Sequence, residues 1–216
     1  ALAQAPAAAP KKPIPPPEIE RGIYTEFDFG TIAFLGGDAA KNVQPGVMAG
    51  FGMGTDIGRY LKIELRMLNA TADSAGTVYQ VPGGDVPSEV VERNPCTATP
   101  TDACTTSPDV QVSLVTGGIK AVYPMSDRLE VQALVAGGVM LGNPSPDQIF
   151  EFNATTQLAD PTSVETGSSP IFGFGGGIEY YTHLRHFSVG ANAAVWLVPG
   201  PGGMMATVFP TIKYTF

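Results

Sequence analysis

From Leu61 to Met67 the chain alternates without a fault. Leu61, Ile63, Leu65 and Met67 are apolar, and Lys62, Glu64 and Arg66 between them are charged. A period of two gives a strand with two unlike faces, because successive side chains point to opposite sides of a sheet. The same beat returns along most of the chain, so any fold it adopts must give many strands one apolar and one different face.

The spacing predicts eight strands. The first runs from about Ile23 to Leu35, with Ile23, Thr25, Phe27, Phe29, Ala33 and Leu35 on one face and Tyr24, Glu26, Asp28 and Gly30 on the other. The second covers Val47 to Ile57, and the third is the one just described. The fourth covers Val110 to Val122, with Val112 and Leu114 on its apolar face and a bulge expected at Gly117-Gly118 that shifts the register before Ile119. The fifth covers Leu129 to Leu141, the sixth Ile171 to Tyr181, and the seventh Phe187 to Leu197. The eighth ends the chain, with Met204, Ala206, Val208, Ile212, Tyr214 and Phe216 in phase.

Alternation does not say which face is outside. The face opposite the apolar one carries Gly50, Gly52, Gly54, Ala136, Gly138, Gly173, Gly175, Gly177 and Gly190. A solvated face would carry Lys, Glu and Thr instead, whereas small residues suit the crowded interior of an eight-stranded barrel. Charged residues are 15% of the chain, against about 25% in soluble domains. The longest uncharged stretch, Phe187 to Ile212, is broken by Pro199-Gly200-Pro201-Gly202-Gly203, so a spanning helix of roughly 20 apolar residues is excluded. The expected fold is all-β: an eight-stranded, antiparallel, up-and-down transmembrane β-barrel over residues 22–216, with its apolar face in lipid. A net charge of −8 argues against a nucleic-acid partner.

The connections alternate. Tight turns stand around Gly58-Arg59, Tyr123–Arg128 and Thr182–His186, and long loops at about 70–109 and 142–170. Short turns on one rim and long loops on the other belong to transmembrane barrels, and they put both termini on the periplasmic side. Residues 1–21 are Pro/Ala-rich. Ala1-Leu2-Ala3-Gln4 resembles the end of a signal peptide, and the rest reads as an extended periplasmic tail.

The last residues, Val208-Phe209-Pro210-Thr211-Ile212-Lys213-Tyr214-Thr215-Phe216, resemble the C-terminal assembly signal of bacterial outer-membrane proteins. Phe216, Tyr214, Ile212 and Val208 fit that pattern, and Pro210 departs from it. The resemblance implies outer-membrane lipid as the setting and the barrel-assembly machinery as a partner during biogenesis. The Pro/Ala-rich tail and short barrel also resemble the outer-membrane barrel proteins of the myxobacterial gliding-motility apparatus. That resemblance implies envelope protein partners reached through the loops and tail.

The inner faces carry Glu26, Asp28, Asp56, Glu64, Glu130 and Glu179, with Lys62, Arg66 and Lys213 to meet them. Mutual pairing is expected, since an unpaired buried charge is costly. A plug that fixes register is favoured over an ion path. His183-Leu184-Arg185-His186 falls in a turn, where a metal site is not expected. Gly173-Phe174-Gly175-Gly176-Gly177 lies inside a strand with no helix after it, unlike a phosphate loop. Both histidines map to the turn rim, which leaves no base for a Ser–His pair on the loop side. The acidic loops read as solvated surface. No cofactor, metal or catalytic residue is assigned. The function expected is a non-enzymatic anchor or subunit of an envelope assembly; the alternative is a narrow channel for small or apolar solutes.

Cys96 and Cys104 are the chain's two cysteines, and in an oxidising compartment such a pair reads as a disulfide. Closing so short a loop contributes about 2–3 kcal/mol. Alkylation without reductant, followed by intact-mass measurement, should detect no free thiol; two labelled thiols would remove the pairing.

Overall fold

A computed structural model describes residues 21–37, 39–73, 79–80, 104–105, 110–143, 145–150, 166–184, 186–200 and 202–216. Eight strands close into one barrel: β1 (Ile23–Phe34), β2 (Gly46–Ile57), β3 (Leu61–Ala72), β4 (Val110–Pro124), β5 (Leu129–Asn143), β6 (Gly167–Tyr181), β7 (Phe187–Val198) and β8 (Gly203–Thr215). Each pairs antiparallel with its sequence neighbours, and β1 pairs with β8 to shut the ring. Closure leaves no sheet edge, which is what lets strands cross hydrocarbon. Outside the barrel, Tyr79–Gln80 pairs with Cys104–Thr105, and two short helices, α1 (Ala39–Asn42) and α2 (Pro146–Phe150), stand in the loops.

The register fixes the barrel's geometry. Paired residues run Ile23, Thr55, Ile63, Ile119, Val135, Phe174, Val195 and Ala206, and return to β1 at Ala33. The ring therefore closes with a stagger of ten residues, from Ile23 to Ala33. For eight strands that stagger tilts them by about 40° to the axis and leaves an interior just wide enough for side chains.

Faces follow the expected phase. Phe27, Phe51, Leu65, Ile119, Val135, Phe174, Val189 and Ile212 all point outward and exposed. With lysines, arginines and carboxylates turned inward, this polarity is the reverse of a water-soluble barrel and suits lipid. Near the loops the outer wall of β3 and β4 becomes polar, where Ser113 donates to Asn69 at 2.7 Å.

Two expectations about β4 are corrected. No bulge interrupts Gly117-Gly118: β4 pairs in unbroken register with β3 from Leu61↔Ala121 to Ala72↔Val110, and equally evenly with β5. Glycine here supplies a small outer face, over which the Leu65 side chain leans, rather than an extra residue. Val112 and Leu114 lie inside the barrel, not on its lipid face; Val115, Ile119 and Tyr123 face out. Near the loops the strand inverts the usual pattern, with Val110, Val112 and Leu114 facing the apolar half of the lumen and Gln111 and Ser113 facing out.

Three prolines sit in strands without breaking the cylinder: Pro124 ends β4, paired with Glu130, and the other two lie farther from the turns. Pro170 pairs with Val139 of β5, above the point where β7 begins to pair with β6. It therefore occupies an edge-like site, where a missing N–H is tolerated. Its inclusion starts β6 at Gly167 rather than at Ile171. Pro210 pairs with Ala191 of β7, while on the β1 side the pairs stop at Asp28↔Thr211 and resume at Thr31↔Val208. The gap lies on the closing seam, beside a residue that cannot donate.

Inward glycines make room for specific large neighbours. A Cβ on Gly173 would lie 2.3 Å from the Trp196 ring, and one on Gly54 would lie 2.5 Å from Tyr24. Gly173→Val should thus overpack the lumen and destabilise the barrel by about 1–3 kcal/mol. Trp196 is the sole tryptophan, so its fluorescence during urea unfolding in vesicles reads the effect directly. An unchanged midpoint would show that the ring has room elsewhere.

Candidate functional site

The lumen holds two unlike fillings. Toward the rim carrying the short turns it is ionic, and toward the loop rim it is hydrocarbon.

Alternation on β3 aims Lys62, Glu64 and Arg66 inward, and the tilt brings them against carboxylates from four other strands. Lys62 Nζ lies 2.6 Å from Glu179, 3.2 Å from Glu130 and 3.8 Å from Asp56, and 3.3 Å from the Tyr181 hydroxyl. Glu179 is a hub. It accepts from Lys62, from Lys213, from Gln132 at 2.5 Å and from Ser188 at 2.5 Å. A second centre forms on Arg66, which bonds Glu26, lies 3.1 Å from Asp28 and reaches Glu64 at 3.4 Å. Thr211 donates to Asp28 at 2.6 Å, and Asn192 donates to Thr211 at 2.9 Å. Aromatic faces complete the packing: Arg66 lies over Phe209 and Lys213 over Tyr24. All nine charged residues named from the sequence thus fall into these two adjoining clusters.

Two members were not named. Lys120 sits 2.5 Å from Glu64 and 3.8 Å from Glu26. With Ile119 on the lipid wall, strand alternation turns Lys120 inward whether or not a bulge precedes it, so the signal was present in the sequence. Arg21, counted with the tail, reaches 2.5 Å from Glu130 and lies over the Tyr181 ring. The next residue is also held, since Gly22 N–H donates to Asp56 and Asp56 N–H donates to the Gly22 carbonyl. Nothing in sequence spacing marks Arg21, because its partner is more than a hundred residues away. With these two, six carboxylates face five cations among the described residues.

Above this network the lumen turns to Ile32, Met48, Leu68, Leu114, Met140, Ile171, Trp196 and Met205, all buried in one cluster. Trp196 Nε1 donates to Thr207 at 3.0 Å, so its polar atom is satisfied. Helix α2 closes the loop end: Phe150 packs edge-on against Phe34 and over Gly203, where a side chain would collide with it. The void bounded by Glu26, Glu179, Ser188, Asn192 and Lys213 is no larger than a water molecule. Chemically, this arrangement neutralises the inward charges and fills the described lumen with side chains.

The assembly-signal residues Val208, Ile212, Tyr214 and Phe216 all lie on the outer wall of β8 or just beyond it. Tyr214 packs against Phe187 and Phe216 at centroid distances of 5.0 and 5.1 Å and stacks on His186. His186 Nδ1 also lies 2.8 Å from the Thr215 carbonyl, and His183 is exposed in the same turn. Both histidines of the chain therefore stand on the turn rim. Cys96 lies outside the described residues, and Cys104 is described only by its backbone. The tail through residue 20 and most of loops 70–109 and 142–170 also lie outside them.

Lys62→Met should destabilise the barrel by about 3–5 kcal/mol, because it removes the buried cation shared by Glu179, Glu130 and Asp56 and takes from Asp56 its salt bridge. Arg21→Ala should cost about 1 kcal/mol or less, since Arg21 is a quarter exposed and its partner keeps Lys62. Urea midpoints in vesicles give the order, and equal losses would show that the two cations are equally essential.

Comparison with known proteins bears on the fold. The chain is similar to Neisserial surface protein A, with a TM-score of 0.56, 8% identity and coverage of 90% of this chain and 97% of that one. It also matches the attachment invasion locus protein Ail of Yersinia pestis at a TM-score of 0.48 and 10% identity, over 92% of this chain and 99% of Ail. The N-terminal β-barrel domain of Pseudomonas aeruginosa OprF follows at 0.44 and 9%, over 90% and 98%. No family model and no curated protein matches the sequence. The likeness to Neisserial surface protein A shows a shared fold, the eight-stranded antiparallel barrel.

Proposed function

We propose that this chain is a non-enzymatic protein of the bacterial outer membrane: an occluded barrel that anchors working parts at its two ends. The filled lumen carries the reading. Ion pairs fix one half and a hydrocarbon cluster capped by α2 fills the other, with no void larger than a water molecule between the residues named above. Such a barrel is a rigid body in lipid. What it can present are the loops after β1, β3 and β5 on one side and the Pro/Ala-rich tail on the other. Short turns and both termini belong together on the periplasmic side. The tail's exit is fixed by Arg21 and Gly22 at the mouth of the lumen, which holds an extended segment where it can reach a periplasmic partner. The envelope assembly so anchored would serve motility or adhesion. The segment between β3 and β4 spans 73–109, far longer than joining two adjacent strands requires, and such length is usually functional.

Two measurements test this. In planar bilayers the purified barrel should give no steady conductance; a stable open current would favour the channel instead. Shortening 74–109 to a turn, or deleting 4–21, should leave a heat-modifiable barrel at normal abundance and abolish its capture of envelope proteins from native membranes. Capture that survives both deletions would place the working surface elsewhere.

A further inference from the structure

The chain's charge is divided unequally between the ends of the barrel. The segments on the loop rim, 35–45, 73–109 and 144–166, hold eleven carboxylates against Lys41 and Arg93. The lumen network is nearly neutral, with six carboxylates and five cations. The three short turns reverse the sign: Arg59, Arg128 and Arg185 stand against Asp127 alone. By sequence the loop-side segments carry −9, the lumen −1, the three short turns +2 and residues 1–20 no net charge, so the short turns are the cationic end.

That surface is also aromatic and free. Arg59 is exposed, and among the described residues it makes no hydrogen bond or ion pair. Beside it Tyr60 is 64% exposed. In the next turn Arg128 uses one nitrogen, Nη1, to donate to the carbonyls of Tyr181 and Thr182 at 3.3 and 2.6 Å. Its Nε and Nη2 remain available, and Tyr123, the last outward residue of β4, is 71% exposed. A guanidinium donates in a fork that matches phosphate oxygens, and tyrosine rings settle at the level of the headgroups. An arginine and an exposed tyrosine ring at each of two neighbouring turns, at the edge of a lipid-facing belt, therefore fit a phosphate held on a glycerol.

We propose that the turn rim is a binding collar for anionic glycerophospholipid headgroups, with Arg59 and Arg128 taking the phosphate and Tyr60 and Tyr123 packing on the glycerol and upper acyl carbons. The collar rests on the membrane placement proposed above and adds lipid selectivity and a direction to it. The turn rim sits in the leaflet that supplies anionic phospholipid, and the acidic loop rim is repelled from it.

The test uses the full chain folded in neutral detergent micelles and incubated with equal amounts of phosphatidylglycerol and phosphatidylcholine. Retained lipid is counted by native mass spectrometry. Phosphatidylglycerol should be preferred, and Arg59→Gln alone should lower the preference about five-fold, the effect of roughly one surface cation. Arg59→Gln with Arg128→Gln should bring it near parity, and Arg128→Lys, which keeps the charge, should restore part of it. Heat-modifiability checks that each variant is folded; if the double variant is not, Arg59→Gln decides the matter. Equal retention of the two lipids by the wild type, or full preference in folded Arg59→Gln, overturns the collar. Failure of the barrel to insert into vesicles at all would instead overturn the membrane reading beneath it.

Discussion

Everything inside this barrel answers to one constraint: eight strands closed with a stagger of ten leave a cylinder with no spare room. The backbone pairs almost completely round the ring, so no strand can move aside to admit a larger side chain. Volume must then be balanced within the lumen. The large inner residues Tyr24, Leu68, Trp196 and Phe150 each stand against a glycine: Gly54, Gly50, Gly173 and Gly203 in turn. Interiors packed this tightly tolerate little change of volume, and that couples sequence positions far apart in the chain.

The same narrowness governs charge. A lysine in a wide, watery barrel could keep its own hydration shell. Here Lys62 is almost wholly buried, and among the described residues its polar partners are Glu179, Glu130, Asp56 and Tyr181. Fixed carboxylates and hydroxyls take the place of water, and the balance of six against five leaves little net charge to be solvated. The hydrocarbon half needs no such balance, so it tolerates the adaptable side chains of Met48, Met140 and Met205. A register-fixing network at one end and a deformable filling at the other divide the lumen into a stiff half and a softer one.

Much of the fold was legible in the sequence because one pattern encodes both strand and side. A residue two places along shares a face, so Leu61 to Met67 announces its own orientation. The errors have a common cause. Near the loops β4 inverts the pattern, with Val110, Val112 and Leu114 inside and Gln111 and Ser113 outside, and there alternation points to the wrong side. Reading Val112 and Leu114 as lipid-facing forced a bulge at Gly117-Gly118 to bring Ile119 onto the same wall. Lys120 falls inside on either reading, since it alternates with Ile119; the error is confined to the sides taken by Val112 and Leu114. The hydrocarbon half of the lumen was illegible for a deeper reason, since which apolar residues face inward depends on the phase of the strand and not on their chemistry. Arg21 could not be read at all, because only closure of the ring brings Glu130 beneath it.

A barrel occluded along its axis has no interior for solutes to use, so its differences from water and lipid are confined to its ends. Those ends are chemically opposite. The turn rim is short, cationic and aromatic, held close to the strands by hydrogen bonds such as those from Arg128 to the neighbouring turn. The loop rim is long and acidic, and its segments have few counter-ions of their own. A neutral, symmetrical plug would sit equally well either way up. The separation of charge along the axis gives this one a direction, because an anionic surface attracts one rim and repels the other within about a Debye length. Filling the lumen therefore does more than stabilise the fold: it leaves the middle nearly neutral and the unbalanced charge at the two ends of the sequence's strand pattern.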